Sequence, residues 1–135
     1  MAARAVNQGQ QTIDQRIHSQ SFASNVRQLV EILGSGLVAV VGDVKETRAV
    51  REWIEEKREP SDRRRQIVKF AFYVALLISN RHGREGAQSW FQGLNAHLGD
   101  KVPALMLRDL REKTIDEVAQ TERHILAAAR NFVER

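Results

Sequence analysis

Apolar residues recur along the chain at intervals of three and four, and no stretch shows sustained alternation of apolar and polar positions. An interval of three or four is the period of an α-helix. The pattern therefore predicts an all-α fold of six or seven helices without a sheet. The first predicted helix is capped by Ser21 or Ser24 and runs to about Leu33. Its apolar face is formed by Phe22, Val26, Leu29, Val30 and Leu33.

A helix-turn-helix layout is predicted next. A short apolar helix over residues 36–41 is followed by a turn at residues 42–45 and by a second helix over residues 46–57. Packing between the two helices would fix their angle and leave the other face of the second helix free. The residues expected to pack together are Leu37, Val38, Val41 and Val44 on one side and Val50, Trp53 and Ile54 on the other.

The second half of the chain is predicted to surround a long helix that begins at Ser61 or Asp62 and ends near Asn80. This helix is apolar on nearly all sides, which is typical of a central helix covered by others. A loop is expected at residues 80–83, then a helix that carries Trp90 and Phe91. An irregular stretch leads to Pro103, which is predicted to begin a short helix, and Thr114 is predicted to cap the last one.

Three regions follow from this pattern. Residues 1–20 are polar and are predicted to be a flexible tail. Residues 21–60 form the predicted helix-turn-helix DNA-binding region. Residues 61–135 form a predicted C-terminal helical domain for dimerisation and partner binding.

Charge favours a polyanionic partner for the first of these two folded regions. The chain carries a formal net charge of +4, and the segment from Lys45 to Lys69 alone has nine basic and six acidic residues. Arginine can form bidentate hydrogen bonds with guanine, and phosphate contacts position a protein on a duplex. The outer face of the second helix is therefore expected to read base edges, through Thr47, Arg48 and Arg51. The residues expected to hold phosphates are Lys45, Arg63, Arg64 and Arg65.

Two alternatives to DNA binding stay open. Three arginines in the first turn of a helix oppose the helix dipole, and either a nearby phosphate backbone or a simple solvated arginine run would explain them. Several glutamates surround the second helix and would repel phosphates, so a helix-turn-helix kept only as a scaffold is the other interpretation. These glutamates are Glu46, Glu52, Glu55, Glu56 and Glu59.

Catalytic and cofactor motifs are not found. The chain has no cysteine, its four histidines lack metal-ligand spacing, and it contains no phosphate-binding loop or nucleophile motif. The longest apolar stretch, Phe70 to Ile78, is far shorter than the ~20 residues that span a bilayer. We therefore expect a cytoplasmic protein that is not an enzyme and needs no cofactor, metal or membrane.

The second half contains a recognisable run of residues. It reads Glu85-Gly86-Ala87-Gln88-Ser89-Trp90-Phe91, then Leu94-Asn95, Leu98-Gly99 and Val102-Pro103-Ala104. This run resembles the toxin-binding domain of the Xre/MbcA/ParS antitoxin family. Upstream, Thr47-Arg48-Ala49-Val50-Arg51-Glu52-Trp53 and Pro60 are similar to that family's helix-turn-helix. The resemblance covers about residues 35–118, with Leu94 where the family usually has a proline.

The resemblance implies a repressor of its own operon that binds double-stranded DNA as a homodimer and neutralises a RES-domain toxin. The candidate partner-binding residues are Trp90, Asn95, Arg108 and Arg135. The long charged helix after Asp109 and the N-terminal extension depart from the family. A stand-alone regulator, or a protein-interaction module whose helix-turn-helix is only structural, is therefore the alternative.

Overall fold

A computed structural model describes residues 13–135 of the chain. Within that range the chain forms seven α-helices, two short 3-10 helices and no strand, so the all-α prediction is confirmed. One isolated antiparallel bridge joins Asn95 to Lys101. The α-helices are α1 (13–19), α2 (Phe22–Leu33), α3 (Ser35–Val41), α4 (Thr47–Ile54), α5 (Asp62–Gln92), α6 (Pro103–Asp109) and α7 (Ile115–Val133), and the 3-10 helices are Ala96–Leu98 and Leu110–Glu112.

Several helices begin where local signals place them. The hydroxyl oxygens of Ser21 and Ser61 each accept a hydrogen bond from a backbone N–H three residues later, at 3.1 and 3.2 Å. Thr114 and Glu117 form a reciprocal capping box at the start of α7, which satisfies two N–H groups that a helix terminus leaves unpaired. Pro103 lies in the first turn of α6. The caps predicted from the sequence are therefore confirmed at these helices.

The long helix α5 is central, as predicted. It packs against α2, α3, α6 and α7, while α4 packs against α2 and α3. Buried residues from all of these helices form one contiguous apolar cluster. The members contributed by α5 include Ile67, Val68, Ala71, Phe72, Val74, Ala75, Leu76 and Ile78.

The break predicted between two helices at residues 80–83 is confined to Gly83, whose φ of 75° and ψ of 176° are not helical. Residues 80–82 are helical, so the four-residue loop predicted there is wrong and the chain has a kink instead. Glycine adopts positive φ without steric cost, so one residue changes the direction of the chain. The helical turns on the two sides of the kink lie close together at Gly86 and His82. A Cβ on Gly86 would lie 2.6 Å from the Cβ of His82, so a larger residue does not fit at position 86.

Two further boundaries differ from the prediction. The helix α4 ends at Ile54 instead of residue 57, because the chain turns away at Glu56, which has a φ of 60°. Residues 13–19 are helical and Ile17 is buried, and the side-chain amide of Asn25 donates a hydrogen bond to the Ile17 carbonyl at 3.1 Å. The flexible tail predicted for residues 1–20 is therefore wrong for residues 13–20, and residues 1–12 lie outside the described part.

Candidate functional site

The buried face of α4 is fixed by its contact with α3. Ala49, Val50 and Trp53 are buried on this face, and the predicted packing partners on α3 and the turn belong to the core or pack against it. A Cβ on Gly42 would lie 2.7 Å from the Cη2 atom of Trp53. The close approach of the indole ring to the turn therefore requires glycine at position 42.

The opposite face of α4 is exposed and charged. Lys45 and Thr47 are exposed at its start, and the side chains of Arg48 and Arg51 are 70% and 68% exposed. Thr47, Arg48 and Arg51 form the outer face of α4, the surface predicted to meet base edges, and Lys45, which is predicted to hold a phosphate, precedes the helix. None of the four is drawn into the core, so the structure leaves all of them accessible to a partner.

Two of the surrounding glutamates lie on this outer face and pair with its arginines. The Nε atoms of Arg48 and Arg51 lie 3.8 Å from the carboxylate oxygens of Glu52 and Glu55, each one helical turn later. Arginine before glutamate is the less favourable order for such a pair, and exposed pairs of this kind contribute about 0.3–0.5 kcal/mol. The arginines can therefore exchange these partners at little cost.

The arginines at the start of α5 have different surroundings. The Nη1 atom of Arg63 donates hydrogen bonds to the carbonyls of Leu110 and Lys113, both at 2.8 Å. The Nε of Arg64 donates to the Gly42 carbonyl at 2.8 Å and its Nη2 donates to the Asp43 carbonyl at 3.2 Å.

The third arginine of the run, Arg65, lies over the ring of Phe22, with 4.8 Å between its Cζ and the ring centroid, as in a cation–π contact. All three arginines of the run therefore have partners within the fold. These contacts give a structural reason for basic residues in the first turn of α5, although all three side chains remain partly exposed to solvent. The phosphate role predicted for Arg63, Arg64 and Arg65 stays a prediction that these contacts do not favour.

A groove of about 690 Å³ lies beside α4 and the start of α5. It is lined by the basic residues Lys45, Arg48, Arg58 and Arg64 and by the acidic residues Glu46, Glu52 and Glu59. Arg58 is the basic residue of this group that the sequence analysis did not single out. The adjacent Lys57-Arg58 pair just beyond α4 was the signal that could have found it.

Three of the four predicted partner-binding residues meet at a second cavity. Trp90, Asn95 and Arg135 line a space of about 340 Å³ between the end of α5 and the end of α7. Leu94 also lines it and is 75% exposed. Arg108 is not among the lining residues and pairs with Asp109 at 3.0 Å instead.

Two of these residues also serve the fold. The side-chain oxygen of Asn95 accepts a hydrogen bond from the His97 N–H at 2.9 Å and caps the first 3-10 helix. Trp90 is only 6% exposed and its ring lies 5.3 Å from that of Phe91. Trp90 and Phe91 therefore belong to the core, as Trp53 does.

Two absences within residues 13–135 bear on the class of site. No helix in this range has the length and apolar character needed to cross a bilayer. The same range holds no group of three or more histidine, cysteine, aspartate or glutamate residues arranged to bind a metal ion. Comparison with protein-family models, with curated proteins and with solved structures finds no match to this chain.

Proposed function

We propose that this protein is a DNA-binding transcriptional regulator of the Xre/MbcA/ParS antitoxin type, in which the outer face of α4 reads the major groove. In this proposal the protein acts in the cytoplasm as a homodimer and represses its own operon. Its C-terminal half, including the cavity at Trp90, binds a protein partner such as a RES-domain toxin. The observation that supports the proposal is the two-sided character of α4.

The two faces of α4 fit the requirements of a recognition helix. One face is anchored by Ala49, Val50 and Trp53, and the other presents Arg48 and Arg51 to solvent. An α-helix with its side chains is about 10–12 Å in diameter, which fits the roughly 12 Å width of the major groove. An anchored helix with two exposed guanidinium groups can place bidentate donors against guanine edges.

The glutamates on the same face do not prevent this role. Glu52 and Glu55 are already paired with the two arginines in the free protein. On DNA the guanidinium groups would exchange a weak carboxylate contact for bidentate base contacts, each of which contributes about 1–3 kcal/mol of discrimination. Glu52 and Glu55 would then lie beside the duplex, where each exposed carboxylate repels phosphates only modestly unless it accepts a hydrogen bond from a cytosine N4.

The test is binding to the promoter fragment upstream of the protein's own gene, compared with a scrambled fragment of equal length. Fluorescence anisotropy at about 50 and about 200 mM salt separates the two kinds of binding, because phosphate contacts alone lose affinity steeply over this range. A preference for the promoter that persists at the higher salt supports the proposal. Equal affinity for both fragments, or no binding by a protein with intact helical circular dichroism, contradicts it.

The second candidate is a protein-interaction module whose helix-turn-helix layout is only a scaffold. It is favoured by the arginines at the start of α5, whose hydrogen bonds and cation–π contact are made within the fold. It predicts no promoter preference at either salt concentration. It also predicts that a partner is captured through the cavity at Trp90, and that Leu94→Asp, which changes an exposed side chain at its edge, abolishes the capture.

A further inference from the structure

The turn before α4 is held by side chains that come from distant parts of the chain. Asp43 lies in this turn with a φ of 54°, in the left-handed region that aspartate tolerates better than most residues. Its Oδ2 atom lies 2.7 Å from the Nε of Arg111 and 4.0 Å from the Nη2 of Arg64. Arg64 also binds the carbonyls of Gly42 and Asp43. Both carbonyls and the carboxylate of the turn therefore contact guanidinium groups.

Arg111 belongs to the second 3-10 helix, Leu110–Glu112, which connects α6 to α7. This same segment is held by Arg63, which donates to the carbonyls of Leu110 and Lys113 at 2.8 Å. Two neighbouring arginines at the start of α5 thus bind the turn before α4 and the junction between α6 and α7. The Asp43–Arg111 ion pair connects these two places directly.

The helix α4 depends on such contacts for its orientation. It has eight residues and no side-chain cap hydrogen bond at its start, and helices of this length are not stable in isolation. Only residues 44–46 separate Asp43 from Thr47, the first residue of α4. Because the connection is this short, a shift of the turn is expected to move the start of α4 and, with it, the outer face of α4.

We propose that Asp43 and Arg111 are positioning residues that couple the α6–α7 junction to the outer face of α4. The proposal rests on the proposed function, because it assigns these residues to the DNA affinity of α4. A partner that binds the C-terminal half and displaces Arg111 would release the turn and weaken DNA binding. Neither residue belongs to the outer face of α4, so neither needs to touch DNA for this role.

The direction in which one substitution changes the DNA affinity distinguishes a positioning role from a general effect of net charge. Asp43→Asn removes a negative charge, so an unrelated surface aspartate would give tighter DNA binding when neutralised. Positioning predicts the opposite, a loss of promoter affinity of about threefold to fivefold, the ceiling for a partly exposed ion pair. Arg111→Gln is expected to cause the same loss. The double variant Asp43→Asn/Arg111→Gln is expected to lose little more than either single variant, because both changes remove the Asp43–Arg111 ion pair, which at 2.7 Å is the shortest of the ion pairs these two side chains make.

The matched control is Arg108→Gln, which removes the same charge from the neighbouring helix, where Arg108 pairs with Asp109. Anisotropy titrations with the promoter fragment give the affinities of the wild type and of the four variants. Additive losses, a gain for Asp43→Asn, or an equal loss for Arg108→Gln would overturn the coupling.

Amide hydrogen exchange keeps the inference testable without DNA. Both single variants are expected to speed exchange at the amides of residues 44–51 more than Arg108→Gln does, because the turn and α4 open more often. If the wild-type protein shows no promoter preference, the proposed function fails while this exchange result still decides the coupling. Unchanged exchange in both variants would overturn it.

Discussion

The arginines of α4 and those at the start of α5 lie in one charged segment of the sequence, but their surroundings differ. Arg48 and Arg51 are about two-thirds exposed and contact only a glutamate one turn later. Arg63 and Arg64 donate to four backbone carbonyls contributed by other parts of the chain. The first pair is available to a partner from outside, and the second pair is engaged in holding the fold.

The difference shows that residue type and local charge do not decide what an arginine does. A guanidinium group has five donors in a fixed fork, so it satisfies unpaired carbonyls at helix ends as readily as it binds phosphate or guanine. Arg63 binds the carbonyls of Leu110, which follows α6, and of Lys113, which follows the second 3-10 helix. Arg64 binds the carbonyls of the two residues that follow α3. Partners distant in sequence determine which of the two roles an arginine has.

The largest expected effect is on DNA specificity. Arg48→Ala/Arg51→Ala is expected to lower the preference for the promoter fragment over scrambled DNA by about thirtyfold or more, because two bidentate contacts of ~1–3 kcal/mol each are removed. The control Arg123→Ala/Arg130→Ala removes the same charge from exposed positions on α7. Anisotropy titration measures both, and an equal loss in the control would mean that only net charge matters.

The next largest effect is on the free energy of unfolding, and it concerns the arginines at the start of α5. Arg63→Ala is expected to lower the free energy of unfolding by about 1.5–3 kcal/mol, because a charged donor to two carbonyls is removed. Arg48→Ala should change it by no more than about 0.5 kcal/mol. Urea unfolding followed by circular dichroism gives both values. Similar values for the two variants would remove the distinction between the two groups of arginines.

A smaller effect concerns the acidic residues on the outer face of α4. Glu52→Gln/Glu55→Gln is expected to raise the affinity for promoter and scrambled DNA alike, by about twofold to fivefold at low salt. Each change removes the repulsion between an exposed carboxylate and the DNA phosphates, and interactions of exposed charges are weak. Glu85→Gln/Glu134→Gln makes the same change in charge at exposed positions elsewhere. Lower affinity in the first variant would show that the glutamates accept hydrogen bonds from DNA.

The smallest effect is a pH dependence of the stability, and it arises at the start of α7, next to the α6–α7 junction that Arg63 contacts. Hydrogen bonds from the backbone and side chain of Thr114 lower the pKa of Glu117 below its usual 4.5. A lowered pKa in the folded state gives stability that is present above pH 4.5 and is lost as the pH falls through the folded pKa. The stability difference between the wild type and Glu117→Gln should therefore shrink below pH 4.5. A difference that stays constant in acid would contradict this role, and urea unfolding at several pH values measures it.

Local signals made much of the fold predictable. Ser21, Ser61 and Thr114 cap the helices that the sequence assigns to them, because a cap requires only a side-chain oxygen and the next turn of backbone. The kink at Gly83 was not predictable as a kink, since polar residues around a glycine resemble a loop. Ile13 and Ile17, spaced by four, pack on the core and were the signal for α1 that the polar N-terminus obscured.

The candidate site was predictable only in part. Exposure of Arg48 and Arg51 follows from the helical period once Trp53 is assigned to the core. The contacts of Arg63 and Asp43 are with residues that are distant in sequence, such as Leu110 and Arg111, and no local pattern joins these positions. The contacts that Arg63 and Arg64 make within the fold are therefore the part of the site that could not be predicted from the sequence.

One measurement compares both groups of arginines in a single sample. NMR of the guanidinium Nε–H groups, recorded while the promoter fragment is added, reports which side chains change their partners. The structure and the proposed function together predict large shifts for Arg48 and Arg51 that saturate with the DNA, and none for Arg63 and Arg64, which keep their carbonyl contacts. Shifts at Arg63 and Arg64 without any at Arg48 and Arg51 would contradict the assignment of α4 as the DNA-reading element.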